Sequence, residues 1–127
     1  MSGDVVNAIR NAYFAAPNPE RIKALLVTNP HNPIGRSYSP SVLCDLMKFC
    51  NEKKLHYISD EVYAMSAFGK VGDENFTSAL SLVDDAATSP INLNRLHVIY
   101  SMSKDFGCAG IRMARNSNSF TLVVFFL

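Results

Sequence analysis

Lys104 lies in the stretch Ser101-Met102-Ser103-Lys104-Asp105-Phe106-Gly107, directly behind the apolar run Leu96-His97-Val98-Ile99-Tyr100. A run of that kind reads as a buried β-strand, which would deliver the lysine just past its end. An amine flanked by hydroxyls and followed by glycine suits covalent chemistry. It forms a Schiff base with a carbonyl once its surroundings lower its pKa. Such an amine needs partners, and two other stretches offer them. Asn29-Pro30-His31-Asn32-Pro33-Ile34-Gly35 follows the apolar run Ala24 to Thr28, and Asp60-Glu61-Val62-Tyr63 follows Leu55 to Ser59. Arg112 stands close behind the lysine.

The elements that must position these residues can be read in order. Asp4 can cap a helix to about Ala16, with Val5, Ile9, Ala12 and Tyr13 on one face. Pro17-Asn18-Pro19 ends it. Ala24 to Thr28 is a short continuous apolar run, which suits a strand covered on both faces as in a parallel sheet. Two Asn-Pro steps then restrict the loop through Gly35, because proline limits both its own φ and the preceding residue. Ser39-Pro40 is a helix start, and Val42, Leu43, Leu46, Met47 and Cys50 make its apolar face. Leu55 to Ser59 is the next strand, and residues 69 to 94 read as a loop with a short helix near Phe76 to Leu82. Leu96 to Ser101 is the third strand. The alternation predicts an α/β fold with right-handed crossovers and a mainly parallel sheet flanked by helices. Ligands of such sheets bind beyond the carboxyl ends of the strands, where Asn32, Asp60 and Lys104 would all lie.

Composition narrows the class. The chain has 127 residues, 48% hydrophobic and 18% charged, enough apolar material for a packed core. Its net charge of +1 is scattered, which offers no footprint for nucleic acid and no polybasic membrane patch. Cys44, Cys50 and Cys108 lack paired metal-site spacings and read as reduced thiols. His56 and His97 sit within apolar strands and read as packed, hydrogen-bonded histidines, so no metal site is expected with His31. Without a basic leader or an apolar run near the roughly 20 residues that span a bilayer, a cytoplasmic protein is expected. Asn75-Phe76-Thr77 has glycosylation spacing, but nothing else points to the secretory pathway.

Taken together and in this order, the Asn29–Gly35 loop, Asp60-Glu61-Val62-Tyr63 and Ser101-x-Ser103-Lys104-Asp105-x-Gly107-x-x-Gly110-x-Arg112 resemble the pyridoxal-phosphate-dependent class I/II aminotransferases. The likeness is closest to the branch containing 1-aminocyclopropane-1-carboxylate synthase and covers roughly residues 5 to 113. It implies a partial large domain of fold type I over residues 1–113, pyridoxal 5'-phosphate as cofactor, an amino-acid substrate and a homodimer. It also implies roles. Lys104 is similar to the lysine that holds the cofactor as an internal aldimine and then serves as base at the substrate α-carbon. Asp60 resembles the aspartate paired with the protonated pyridine nitrogen, which keeps the ring an electron sink. Asn32 and Tyr63 resemble the two donors to the ring oxygen, whose hydrogen bonds favour its charged form. Ser101 and Arg112 look like phosphate ligands, with Gly107 and Gly110 permitting the turn between them. Ser103, Glu61 and Asp105 match the pattern without an assigned contact.

The likeness stops after Met113. Residues 114–127 form a divergent tail that ends in Thr121-Leu122-Val123-Val124-Phe125-Phe126-Leu127, uncharged, β-prone and free of proline. Exposed, such a heptad is an aggregation hazard. A shifted exon boundary or a replacement edge strand would each account for it. Within the enzyme reading, amino-group transfer and α,γ-elimination both stay open. A second reading of a different class is a catalytically silent remnant acting as a binding or dimerisation module.

Overall fold

A computed structural model describes residues 2–67, 76–85, 87–111, 113–117 and 122–126. Helix α1 (Ser2–Ala15) leads through a 3-10 turn at Pro19–Arg21 into strand β1 (Ala24–Thr28). Helix α2 (Pro40–Lys53) and strand β2 (His56–Asp60) follow, then 3-10 turns at Ala64–Ser66, Ala79–Leu82 and Leu93–Arg95. Strand β3 (Leu96–Ser101) runs into the short helix α3 (Met102–Asp105), and strands β4 (Met113–Ser117) and β5 (Leu122–Phe126) close the described chain. The sheet order is β1-β2-β3-β4-β5. The first three strands are parallel, whereas β4 pairs antiparallel with β3, and β5 antiparallel with β4. The fold is therefore α/β with a mixed sheet whose site-bearing half is parallel. The expected short helix near Phe76 to Leu82 is the 3-10 turn at Ala79–Leu82.

Helix α2 forms where proline can take the first turn: Ser39 is extended at φ −66° and ψ 150°, and Pro40 follows it. The helix ends at Lys54, which takes the left-handed conformation at φ 57°. Its N–H reaches back to the Cys50 and Asn51 carbonyls, and Leu55 N–H bonds the Cys50 carbonyl at 2.8 Å. That closure turns the chain straight into β2. The predicted apolar face of α2 is buried in full, with Phe49 added to it. These residues pack with Val27, Tyr57, Leu96 and Val98 from alternate positions of three strands.

Helix α1 docks on α2. The Tyr13 ring meets Phe49 edge-on at a centroid distance of 5.5 Å, and the Arg10 guanidinium lies 5.1 Å from the same ring. Val6, Ile9 and Tyr13 carry the contact, while Ala12, expected on that face, is exposed. One expectation about β1 changes. Its apolar run does not report two covered faces: Val27 is buried, whereas Leu26 is 58% exposed. The packed core lies on the Val27 side of the sheet, and β1 is an edge strand of the described sheet. Among the described residues, no helix is long and apolar enough to cross a membrane.

Candidate functional site

Parallel pairing brings the carboxyl ends of β1, β2 and β3 level. Thr28 pairs with Asp60, and Asp60 with Ile99. The ladder continues one step past the strands: Asn29 N–H donates to the Asp60 carbonyl at 3.0 Å and Glu61 N–H to the Ile99 carbonyl at 2.8 Å. Above Thr28 the Asn-Pro loop folds on itself, with His31 N–H on the Arg36 carbonyl at 2.9 Å and Gly35 N–H on the His31 carbonyl at 2.7 Å. Gly35 takes φ 69°, a left-handed turn that a side chain would strain. The loop presents Asn32, whose Nδ2 lies 3.5 Å from the Tyr63 hydroxyl. From the third strand end, Lys104 Nζ lies 5.8 Å from the centroid of the Tyr63 ring. Tyr63 is thus the meeting point of an asparagine from one strand end and a lysine from another. Beside it opens a cleft of about 240 Å³ lined by Pro30, Asn32, Pro33, Tyr63, Ser66 and Ala67 among others.

The remaining predicted residues occupy the strand ends. Asp60 is the last residue of β2, half-buried, and its Oδ1 accepts from Val62 N–H at 3.4 Å. Ser101 ends β3 and caps α3: its Oγ accepts from Ser103 N–H at 3.1 Å and lies 2.9 Å from the Ser103 hydroxyl. Gly107 turns the chain at φ 63°, and Gly110 does so without a left-handed φ. Arg112 lies outside the described residues.

Beneath these groups is a layer of buried polar side chains without assigned roles in the sequence. Asn29 is fully buried: its Oδ1 accepts from Tyr38 N–H at 3.0 Å and its Nδ2 donates to the Thr77 carbonyl at 3.2 Å. The Glu61 carboxylate accepts from the Ser59 hydroxyl at 2.9 Å, the Ser78 hydroxyl at 2.7 Å and Ala79 N–H at 2.8 Å. Burial raises the Glu61 pKa against the opposing pull of those three donors, and the neighbouring Asp60 adds to the rise. The two side chains fasten the segment Thr77–Ala79 across the tops of β1 and β2. The signal was present in the strand alternation: Val27 and Asn29 share one face, as do Tyr57, Ser59 and Glu61. Asp105 is the third of these supports, with both carboxylate oxygens engaged by Met65 and Ser66.

The histidines differ from expectation in burial. His56 is exposed and His97 half-buried, yet they are hydrogen-bonded to each other, Nδ1 to Nε2 at 2.8 Å. They sit in the amino-terminal halves of β2 and β3, on the face away from Tyr57, where the core does not reach.

Comparison with known proteins gives the family and the fold. The profile of the family "Aminotransferase class I and II" matches residues 4–115. The chain belongs to the class I and II aminotransferases. Among members of this aminotransferase family, the "Probable aminotransferase sirI" of Leptosphaeria maculans is 49% identical over 98 residues, covering 77% of this chain and 24% of the relative. The "1-aminocyclopropane-1-carboxylate synthase 7" of Arabidopsis thaliana is 36% identical over 130 residues, covering 91% and 28%. Among solved structures, the pyridoxal-phosphate-bound C-S lyase of Staphylococcus hominis superposes with a TM-score of 0.63 at 26% identity, over 87% of this chain and 25% of that one. An aspartate aminotransferase of Thermus thermophilus shares the fold, with a TM-score of 0.66 at 23% identity over 89% of this chain and 25% of that one. This aminotransferase-family chain spans about a quarter or less of the length of the curated relatives it matches.

Proposed function

We propose that residues 1–113 are part of the large domain of a pyridoxal-phosphate enzyme acting on amino acids, with Lys104 holding the cofactor covalently through its amine. The single observation that carries this reading is the convergence of Asn32 and Lys104 on Tyr63 at the carboxyl ends of parallel strands. The donor set fits the group: two neutral donors, a strand-end carboxylate, a capping hydroxyl and an amine beside an open cleft. When bound, pyridoxal phosphate supplies an electron sink for negative charge at the substrate carbon bearing the amine.

The chain's own residues would each do one thing. Once a substrate amine had displaced it from the cofactor, the Lys104 amine would take and return the proton at that carbon. The Asp60 carboxylate would favour a proton on the cofactor's ring nitrogen, as an opposite charge does for any titrating group. The Tyr63 hydroxyl and Asn32 Nδ2 would donate to the ring oxygen and hold its charged form. The Ser101 hydroxyl and the Arg112 guanidinium would bind the phosphate, the latter through a planar fork. A cytoplasmic homodimer is part of the proposal; both amino-group transfer and elimination of the 1-aminocyclopropane-1-carboxylate synthase type stay within the reading. Residues 114–127 are proposed as a divergent tail.

Mixing the chain with pyridoxal phosphate, reducing with borohydride and mapping the modified peptides tests the assignment. Selective modification of Lys104, lost in Lys104→Ala, is the expected result. Labels scattered over other lysines would sink it. That outcome would favour the second reading, a catalytically silent binding or dimerisation module. The isolated chain is expected to give no turnover of an amino acid, and measurable turnover would overturn that expectation.

A further inference from the structure

Asp105 follows Lys104 in α3, but its carboxylate serves a different part of the chain. Oδ2 accepts from Met65 N–H at 3.0 Å and Oδ1 from the Ser66 hydroxyl at 2.6 Å. Met65 and Ser66 belong to the 3-10 turn Ala64–Ser66, which starts at Tyr63. Ser66 N–H closes that turn on the Tyr63 carbonyl at 3.0 Å. Tyr100 of β3 reaches the same place, its hydroxyl 3.4 Å from Met65 Sδ. Asp105 therefore ties two segments separated by 40 residues in sequence, one bearing Tyr63 and the other Lys104.

The bond pair matters because it joins α3 itself to the turn, beside the contact that Tyr100 of β3 makes with Met65. Lys104 is exposed, carries a flexible four-carbon stem and has its ammonium 5.8 Å from the Tyr63 ring centroid. Tyr63 and Ser66 both line the cleft. A carboxylate that grips the amide and hydroxyl two and three residues after Tyr63 fixes the cleft wall against the helix carrying the amine. Two charge-assisted hydrogen bonds to one carboxylate also fix orientation, as a single contact would not.

We propose that Asp105 is a positioning residue that holds the Tyr63–Ser66 turn against the Lys104 helix and so sets the approach of the Lys104 amine to the cleft. The clamp stands on its own geometry; its consequence for cofactor loading rests on the reading of Lys104 given above. The experiment compares the 127-residue chain with Asp105→Ala and Asp105→Asn by NMR, before and after exposure to pyridoxal phosphate and borohydride. In the unsubstituted chain, cross-relaxation between the Lys104 ε-methylene and the Tyr63 ring is expected, with slow exchange of the Met65 amide. Asp105→Ala should abolish the cross-peak and raise Met65 exchange about tenfold or more, while Tyr57 and Ile58 in β2 stay protected. Asp105→Asn, which keeps one acceptor, should fall between the two and remains available if the alanine variant does not fold. Lys104 labelling should fall in the same order relative to the other lysines. An unchanged Met65 amide and an intact cross-peak in both variants would overturn the clamp. A freed turn with undiminished selective labelling would overturn its role in setting the amine. No selective labelling in the unsubstituted chain would sink the cofactor reading instead, with the cross-peak and exchange still deciding the clamp.

Discussion

Ser78 donates its hydroxyl to Glu61 at 2.7 Å, and that bond fastens the segment before the Ala79–Leu82 turn to the end of β2. Glu61 is 4% exposed and also holds Ser59 and Ala79 N–H. Glu61→Ala leaves those donors buried without an acceptor, so a loss of about 2–4 kcal/mol is expected in urea denaturation. Glu61→Gln keeps one acceptor and should lose less. The pH dependence has a defined sign. Because burial raises the folded pKa above the ordinary glutamate value near 4.3, the folded state binds the extra proton between the two values. That contribution is fully present below the ordinary value and lost as pH rises through the folded one. Glu61→Gln should remove this decline, and a stability profile identical to that of the unsubstituted chain would refute it.

Asn29 is the matching support at the end of β1. Its side chain joins Tyr38 N–H to the Thr77 carbonyl. Asn29→Ala should cost about 2–3 kcal/mol, since a buried backbone donor and a carbonyl lose their partner. Asn29→Asp keeps the acceptor for Tyr38 and loses the donor for Thr77. Hydrogen exchange read at Tyr38 should therefore separate the two variants, with fast exchange in Asn29→Ala alone.

Phe49 is where α1 is attached. It is 1% exposed and receives both the Tyr13 ring edge and the Arg10 guanidinium. Phe49→Ala should destabilise by about 3–5 kcal/mol, from lost burial and the cavity left behind. Circular dichroism should show α1 helicity lost with it, and a variant that keeps full helicity would contradict the docking.

His56 and His97 share a hydrogen bond that needs at least one neutral ring. Burial lowers the His97 pKa, and the neighbouring His56 lowers it further. A depressed folded pKa means the unfolded chain takes the proton first. The stabilising contribution is therefore present above the unfolded value near 6.5 and is lost as pH falls through the folded value. The melting temperature should drop on acidification across that window, and His97→Gln should flatten the drop. An equal drop in the variant would assign it to other groups.

Among the described residues strand β5 lies at an edge of the sheet, and it carries the uncharged sequence Leu122-Val123-Val124-Phe125-Phe126. An unpaired β-prone edge recruits further strands. The chain should associate with rising concentration, and Val124→Lys should suppress this in light scattering. A monodisperse unsubstituted chain would refute the expectation.

Much of this protein was legible because short-range rules govern it. The strand limits Ala24–Thr28 and Leu96–Ser101, the Ser39-Pro40 helix start and the apolar face of α2 follow from propensity, proline geometry and periodicity. So does the loop from Asn29 to Gly35, whose prolines and glycine dictate its course. The buried supports were harder to see, because Glu61 and Asn29 gain meaning only when residues 77 to 79 lie across the strand ends.

The sequence by itself determined the residue types and their order: an amine, a carboxylate and two donors, each after an apolar run. It also determined the family, since three spaced motifs in fixed order are far more specific than any one of them. The tertiary structure alone decided that Asn32 and Lys104 meet at Tyr63, that Asp105 grips the Tyr63 turn, and that Leu26 is left exposed. The physical reason is range. Local rules fix how a strand begins and ends, but the strand register, which pairs Thr28 with Asp60 and Asp60 with Ile99, decides which strand ends share a site.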